Sequence, residues 1–290
     1  MPQSALDPIT MMPVKHIHRA IDADLQGLAR IVAEMGGLAE RQITEAIEAL
    51  VTRDGGRASR IVASDTAIDA LQRTIEERAI GTIARRQPVA NDLCHIVGIL
   101  RIANELERIG DLAKNIAKRV IAIAGEDTPR RPMGGVGHMA ALMLGQLQDV
   151  LDSFARGDVA KAVEVWTRDQ ELDRLCRSVL RELLAFMIEK PVFVTLAIHL
   201  LFCTKNLERM GDHATNIAES VYYMVQGEPL STERPKADVT NLLPHRAAVD
   251  RQKCNTGPGC YEDPIFTQAA ADYLIAFYEN EPELVQTRQT

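Results

Sequence analysis

The stretch LERIGDLAKNIA at residues 106–117 decides the fold, because it occurs twice in the chain in nearly the same form. It returns as LERMGDHATNIA at residues 207–218, and nine of the twelve positions are identical. Each copy carries the pattern Glu-x-x-x-Asp, with an Arg directly after the Glu and an Asn four residues after the Asp. Residues four positions apart lie on one face of a helix, so each copy places two carboxylates side by side.

The duplication extends beyond this motif. Asp65 and Asp69 match Asp169 and Asp173 at an offset of 104 residues, whereas the motif recurs at an offset of 101. Apolar residues recur at helical spacing in both copies, and signals for β-hairpins are almost lacking, so we predict an all-α fold. It consists of two tandem three-helix bundle repeats. The six long helices are predicted at residues 19–52, 57–85, 88–124, 138–155, 158–189 and 191–226.

Gly- and Pro-rich breaks define the predicted domain organisation. The first repeat covers residues 16–125 and the second covers 138–227, with a linker at 126–137 between them. Residues 1–15 are predicted to be a flexible leader. Residues 228–290 are predicted to be a mostly irregular tail, in which one short helix is a candidate at 265–278.

Composition limits the classes of function. A hydrophobic content of 46% with only 4% aromatic residues is typical of the Leu, Ile, Val and Ala core of a helical bundle. The net charge of -7 argues against nucleic acid as a partner, because contacts with phosphates need a basic surface. Five dispersed cysteines without an export signal favour reduced thiols in the cytosol. The longest apolar run, at 192–203, is too short to span a bilayer, so we expect a soluble cytoplasmic protein.

Four carboxylates of each repeat are predicted to lie at one height on two adjacent helices. In an antiparallel hairpin formed by the second and third helices of a repeat, residues at equal distances from the turn lie at the same height. The mean of their residue numbers is then the position of the turn. Two carboxylate pairs of the first repeat centre on Pro88, and two of the second repeat centre between Lys190 and Pro191. The four level pairs are Asp69 with Glu107, Asp65 with Asp111, Asp173 with Glu208, and Asp169 with Asp212.

The helix faces that carry these acids continue into apolar positions, so the acids are predicted at the solvent-accessible end of a buried contact between the two helices. Four carboxylates in such a place repel each other and lose hydration, so they become protonated or bind a cation. Oxygen ligands suit Mg²⁺, Mn²⁺ or Ca²⁺, and carboxylate clusters also accept iron or zinc. The sequence therefore predicts a divalent or trivalent metal at each group of four carboxylates.

The alternative is a solvated charged face on which the acids pair with cations of the same helices. The candidate cations are Arg73, Arg108, Lys114, Arg177 and Arg209. Glu45 and Asp149 on the first helices also share the offset of 104 and could add a ligand, although a solvated face is the favoured interpretation for both.

Other residues of the duplicated motif are assigned supporting roles. Arg108 and Arg209 are interpreted as residues that hydrogen-bond to the metal-binding carboxylates or form ion pairs, and not as catalysts. Asn115 and Asn216 are interpreted as added ligands or as hydrogen bonders between helices. Glycine in a helix interior costs about 1 kcal/mol relative to alanine, so the glycine of each motif is interpreted as permitting close helix approach. Three histidines are interpreted as satisfied bundle residues rather than ligands: His95, His199 and His213.

The two motifs, in two three-helix repeats with Asp-x-x-x-Asp upstream, resemble the PhoU family over about residues 16–227. The resemblance implies a two-repeat all-α fold, metal clusters at the E(D)-x-x-x-D motifs and frequent dimerisation. The first repeat differs from the second in having Leu112 where the second has His213, and the tail lies outside the usual length of the family. The metal motifs of the family fall on Asp65, Asp69, Glu107, Asp111, Asp169, Asp173, Glu208 and Asp212.

The same resemblance implies a negative regulator of the phosphate-starvation response and of phosphate uptake. Such a protein is a non-enzymatic adaptor that links the ATP-binding subunit of the phosphate ABC transporter to a sensor histidine kinase, in the cytoplasm or at the inner membrane through these partners. The chain has neither a phosphate-binding loop nor the Glu-x-x-His of ferritin-like di-iron sites, which favours this interpretation. The alternatives are a carboxylate-bridged metalloenzyme, such as a phosphatase or oxidase, and a purely structural helical scaffold.

Overall fold

The computed structural model describes residues 14–64, 66–89, 91–125 and 133–230. The chain divides into two compact units, Met1–Asp238 and Val239–Thr290, and every described residue belongs to the first. Asp65, most of the predicted leader and linker, and the tail from residue 231, including the candidate helix at 265–278, lie outside the described residues.

The described residues are helical almost throughout and contain no strand, so the predicted all-α fold is confirmed. The first repeat consists of α1 to α4, and the second consists of α5 to α7 with a short 3₁₀ turn at Pro191–Phe193. The helices are α1 (Val14–Thr52), α2 (Gly55–Ser64), α3 (Thr66–Arg86), α4 (Asn91–Ile123), α5 (Met133–Arg156), α6 (Val159–Glu189) and α7 (Val194–Gln226). The second helix of the first repeat, predicted as one, is thus described as α2 and α3 on either side of residue 65.

Local capping explains several helix ends. The side chain of Asp54 accepts a hydrogen bond from the backbone N–H of Arg57 at 2.8 Å, which caps the start of α2. Asp158 caps α6 in the same way and accepts from the backbone N–H of Lys161 at 3.1 Å. Helix α7 ends at Gly227, whose φ of 77° lies in the left-handed region that favours glycine.

Helix α5 begins earlier than the predicted start at residue 138. It starts at Met133, although glycines occupy three of the next four positions. Glycine weakens a helix, but Val136 and Met139 are completely buried here, so tertiary packing stabilises this turn. The end of the predicted linker is therefore helical.

Helices α4 and α7 pack against each other across the two repeats and run antiparallel, and α1 also contacts α5. The start of α4 lies against the end of α7, where the sulfur of Cys94 is 3.6 Å from the hydroxyl of Tyr223. The end of α4 lies against the first half of α7, where the Arg119 guanidinium is 4.6 Å from the centre of the Phe202 ring. Both helices bury many apolar side chains, and complete burial of one Leu or Ile contributes roughly 1.5–3 kcal/mol. The duplicated motif thus lies on the two central helices of the molecule.

No helix among the described residues combines the length and the apolar character that crossing a membrane requires.

Candidate carboxylate sites

The first carboxylate set, defined as Asp65, Asp69, Glu107 and Asp111, joins α3 to α4. Burial raises the pKa of Glu107, and the carboxylates of Asp111 and Asp69 raise it further against the opposing charge of Arg108. Asp69 on α3 therefore lies within electrostatic reach of Glu107 on α4, as the hairpin register predicts. Asp65 lies outside the described residues, so its predicted place in this set stays a prediction.

The second carboxylate set, defined as Asp169, Asp173, Glu208 and Asp212, joins α6 to α7 in the same manner. Burial is the main cause that raises the pKa of Glu208; Lys205 opposes it, and the carboxylates of Asp212 and Asp173 add to it. Asp169 is 3% exposed and accepts a hydrogen bond from the hydroxyl of Thr215 at 3.2 Å. One predicted level pair of each hairpin therefore lies within electrostatic reach, Asp69 with Glu107 and Asp173 with Glu208.

A lysine ammonium contacts each set. Lys114 Nζ lies 2.5 Å from Asp111 Oδ1, and Lys205 Nζ lies 2.8 Å from Glu208 Oε2. Asp173 of the second set is buried, whereas its counterpart Asp69 in the first set is half-buried, so the second set is the drier one. The predicted alternative, acids paired with cations of their own helix, therefore holds for Asp111 and Lys114.

The glycine of each motif permits the close helix approach that the sequence predicts. A Cβ atom on Gly110 would lie 2.8 Å from Cδ1 of Ile68 on α3. A Cβ atom on Gly211 would collide with Cδ2 of Leu172 on α6. Both glycines therefore bring the two helices of a hairpin together beside the acids.

Two buried glutamines escaped the sequence analysis. Gln42 on α1 and Gln146 on α5 are 7% and 1% exposed, and among the described residues the Oε1 atom of each has no hydrogen-bond partner. Gln146 Nε2 donates to the backbone oxygen of Arg168 at 3.3 Å, directly before Asp169. Gln42 Oε1 would lie 3.2 Å from a Cβ atom on Gly110. The signal that could have found them is a polar residue on an apolar stripe, repeated at the offset of 104.

Contacts between the repeats explain one difference between the two motifs. His213, which replaces Leu112 of the first repeat, places Nδ1 2.6 Å from Oε2 of Glu105 on α4. Asn216 Nδ2 donates to the same oxygen at 3.1 Å. Asn216 is therefore a hydrogen bonder between helices, which was one of its two predicted roles. Asn115 is half-buried.

The remaining histidines differ from each other. His95 Nδ1 lies 2.9 Å from the backbone oxygen of Asn91, so this histidine is satisfied as predicted. His199 is 6% exposed and its Nδ1 has no hydrogen-bond partner, so the prediction of a satisfied histidine is wrong there. Burial, with the positive charge of Arg119, lowers the pKa of His199. The Nδ1 atom is thus buried without a hydrogen bond among the described residues.

The acids on the first helices follow their favoured interpretation. Asp149 forms ion pairs with Lys161 at 2.9 Å and Arg168 at 3.0 Å. The hydrogen bond from Lys161 is the main cause that lowers the pKa of Asp149. Glu45 is exposed. Neither residue is needed to describe the carboxylate sets.

The donor chemistry of the two sets fits a hard cation. All the predicted ligand atoms are carboxylate oxygens. Burial, with added repulsion from the neighbouring acids, raises the pKa of Glu107 and Glu208, and a bound cation would favour the charged form of both. Within the described ranges, which omit Asp65, no three His, Cys, Asp or Glu side chains are grouped closely enough to hold a metal ion. Metal binding at the eight predicted acids therefore stays a prediction.

Comparison with known proteins gives consistent results. The family model described as PhoU domain matches residues 32–120 and 136–221, once in each repeat. The phosphate-specific transport system accessory protein PhoU homolog of Rhizobium meliloti is 50% identical over 228 residues, covering 79% of this chain and 96% of the relative. The homolog of the same name from Caulobacter vibrioides is 43% identical, covering 78% of this chain and 98% of the relative.

Solved structures match over the same region. PhoU from Pseudomonas aeruginosa has a TM-score of 0.69 at 37% identity, covering 71% of this chain and 99% of that one. The phosphate transport system regulatory protein PhoU from Streptococcus pneumoniae has a TM-score of 0.67 at 25% identity, and the match covers 73% of this chain and 100% of that one.

Proposed function

The chain belongs to the PhoU family, and on that premise we propose that it is an accessory protein of a phosphate-specific transport system. The observation that carries this proposal is the likeness to accessory proteins over nearly their whole length, at 50% and 43% identity. In this role the protein negatively regulates phosphate uptake and the phosphate-starvation response. It works as an adaptor and not as an enzyme.

The proposed partners are the ATP-binding subunit of the phosphate ABC transporter and a sensor histidine kinase. Both would meet the protein in the cytoplasm, at the inner face of the membrane. A homodimer is part of the same proposal. Co-purification with each partner tests the contacts, and light scattering across a dilution series tests the dimer.

The proposed function includes metal binding by the two carboxylate sets. Asp69, Glu107 and Asp111 would hold the ion of the first set together with Asp65. Asp169, Asp173, Glu208 and Asp212 would hold the ion of the second set. A bound cation would neutralise the crowded carboxylates and cross-link the two helices of each hairpin. Binding would therefore stiffen each hairpin, and we propose that this state is the one that the partners recognise.

A reporter strain tests the regulatory role. In a bacterium that carries a phosphate-repressed reporter, deletion of this protein should cause reporter expression at high phosphate, and the wild-type chain should restore repression. Asp212→Asn should restore it poorly, because the substitution removes a charge from the second carboxylate set. Asp149→Asn is the matched control, since it also removes one carboxylate charge and Asp149 pairs with Lys161 and Arg168 outside the set. Normal repression in the deletion strain would refute the regulatory role.

An enzyme assay separates the second candidate function. Metal-loaded protein should show no turnover of phosphoesters and no consumption of dioxygen. Turnover that is lost in Asp111→Asn and Asp212→Asn would instead establish the carboxylate-bridged metalloenzyme.

A further inference from the structure

A lysine contacts each carboxylate set, and the two lysines come from different positions of the repeat. Lys114 approaches Asp111 from three residues further along α4, and Lys205 approaches Glu208 from three residues before it on α7. At the offset of 101, the counterpart of Lys114 is Thr215 and the counterpart of Lys205 is Asn104. The two repeats therefore place their lysines at different positions relative to the duplicated acids.

Helix packing does not require a lysine at either position, because the other repeat accommodates a shorter, neutral residue there. Thr215, in the place of Lys114, lies in the core and donates its hydroxyl to Asp169 at 3.2 Å. The lysine side chains are partly buried, with 22% of Lys114 and 36% of Lys205 exposed. Each stem is thus held along the protein while the ammonium reaches a carboxylate.

We propose that Lys114 and Lys205 are tethered counter-ions, which neutralise the carboxylate sets in the metal-free protein and must be displaced when a metal ion binds. This inference rests on the proposed metal binding. An ammonium at hydrogen-bond distance from a ligand oxygen repels an incoming divalent cation, and its displacement breaks an ion pair. The two lysines therefore lower the metal affinity, and they stabilise the protein without metal.

The repeats themselves supply the test substitutions. Lys114→Thr gives the first set the residue of the second repeat, and Lys205→Asn gives the second set the residue of the first. Full-length protein, stripped with a chelator, is titrated with Mn²⁺ in a calorimeter, and bound metal is counted by elemental analysis. Each variant should bind Mn²⁺ about ten-fold more tightly at one site, since removing one charge about 4 Å away is worth at least that factor at a partly buried position.

Control variants separate this effect from general changes in charge or folding. Lys118→Thr removes the same charge from an exposed position one turn further along α4 and should leave Mn²⁺ affinity unchanged. Lys114→Arg keeps the charge and should keep the weaker affinity of the wild type. The melting temperature of the stripped protein should fall in Lys114→Thr and Lys205→Asn and recover when Mn²⁺ is added.

The outcomes distinguish this inference from the proposed function. Wild-type protein that binds Mn²⁺, with both lysine variants binding it equally or more weakly, would overturn the inference and leave the metal site intact. Tight binding by the variants alone would support the inference, because the lysines would then prevent Mn²⁺ from binding to the wild-type sets. No binding by any of the proteins would overturn both.

Discussion

Replacing Gln146 with methionine should stabilise the protein, although it removes a buried hydrogen bond. Gln146 is 1% exposed and its Oε1 has no partner, and an unsatisfied buried acceptor costs about 1–3 kcal/mol. Its one hydrogen bond, from Nε2 to the Arg168 oxygen at 3.3 Å, contributes about 0.5–1.5 kcal/mol. Methionine follows nearly the same shape without polar atoms, so Gln146→Met should gain about 1 kcal/mol and raise Tm by roughly 2–4 °C.

Urea and thermal unfolding of the stripped full-length protein measure this difference. Gln26→Met at an exposed position of α1 is the control, and its stability should change by less than about 0.5 kcal/mol. Gln146→Glu should destabilise strongly, because it buries a charge at the same atom. Gln42→Met should also raise the free energy of unfolding, since the Oε1 atom of Gln42 is likewise buried without a hydrogen-bond partner among the described residues. A loss of more than about 1 kcal/mol in Gln146→Met would show that the oxygen has a partner in solution and refute the reasoning.

Three further predictions concern single buried positions. Gly211→Ala should lower the free energy of unfolding by about 1–2 kcal/mol, because the added Cβ atom would collide with Leu172. Gly27→Ala is the control: a Cβ atom there has nothing within 4 Å, so it should raise the free energy of unfolding by up to about 1 kcal/mol. Chemical denaturation measures both changes. Burial lowers the pKa of His199 in the folded protein, so the unfolded chain takes up a proton at a higher pH than the folded protein does. The free energy of unfolding should therefore reach its full value above pH of about 6.5, the ordinary pKa of histidine, and decrease below it. In melting curves at pH 5 to 8, His199→Leu should make this dependence on pH weaker. Burial raises the pKa of the Cys203 thiol to about 12, so labelling followed by mass spectrometry should modify it only at the rate of unfolding. Fast labelling of native Cys203 would contradict that burial.

The helices and the carboxylate pairing could be predicted because they depend on local spacing. The 3.6-residue period places Glu107 beside Asp111, and a tight turn at Pro88 brings Asp69 level with Glu107. The cost of glycine in a helix likewise indicated a close approach at Gly110, which the contact with Ile68 confirms. Each of these inferences needs only the chain near the motif.

The features that sequence reasoning missed depend on how separate helices pack. The pairing of His213 with Glu105 follows only once α4 is known to lie against α7. The isolation of the His199 ring and of Gln146 Oε1 likewise depends on what surrounds them in space. Helix α5 begins at Met133 because distant core residues cover its first turn, against the local preference of its glycines.

The antiparallel contact between α4 and α7 has a consequence for how the chain could be divided. A single repeat, expressed alone, would expose the apolar face that the opposite repeat now covers, and two copies could cover each other's face about a twofold axis. The present chain resembles such a pair joined end to end. Covalent joining removes the requirement that both halves be identical, so each half can acquire its own substitutions. The exchange of Leu112 for His213 and of Lys114 for Thr215 is the kind of divergence that a symmetric assembly of identical subunits cannot make.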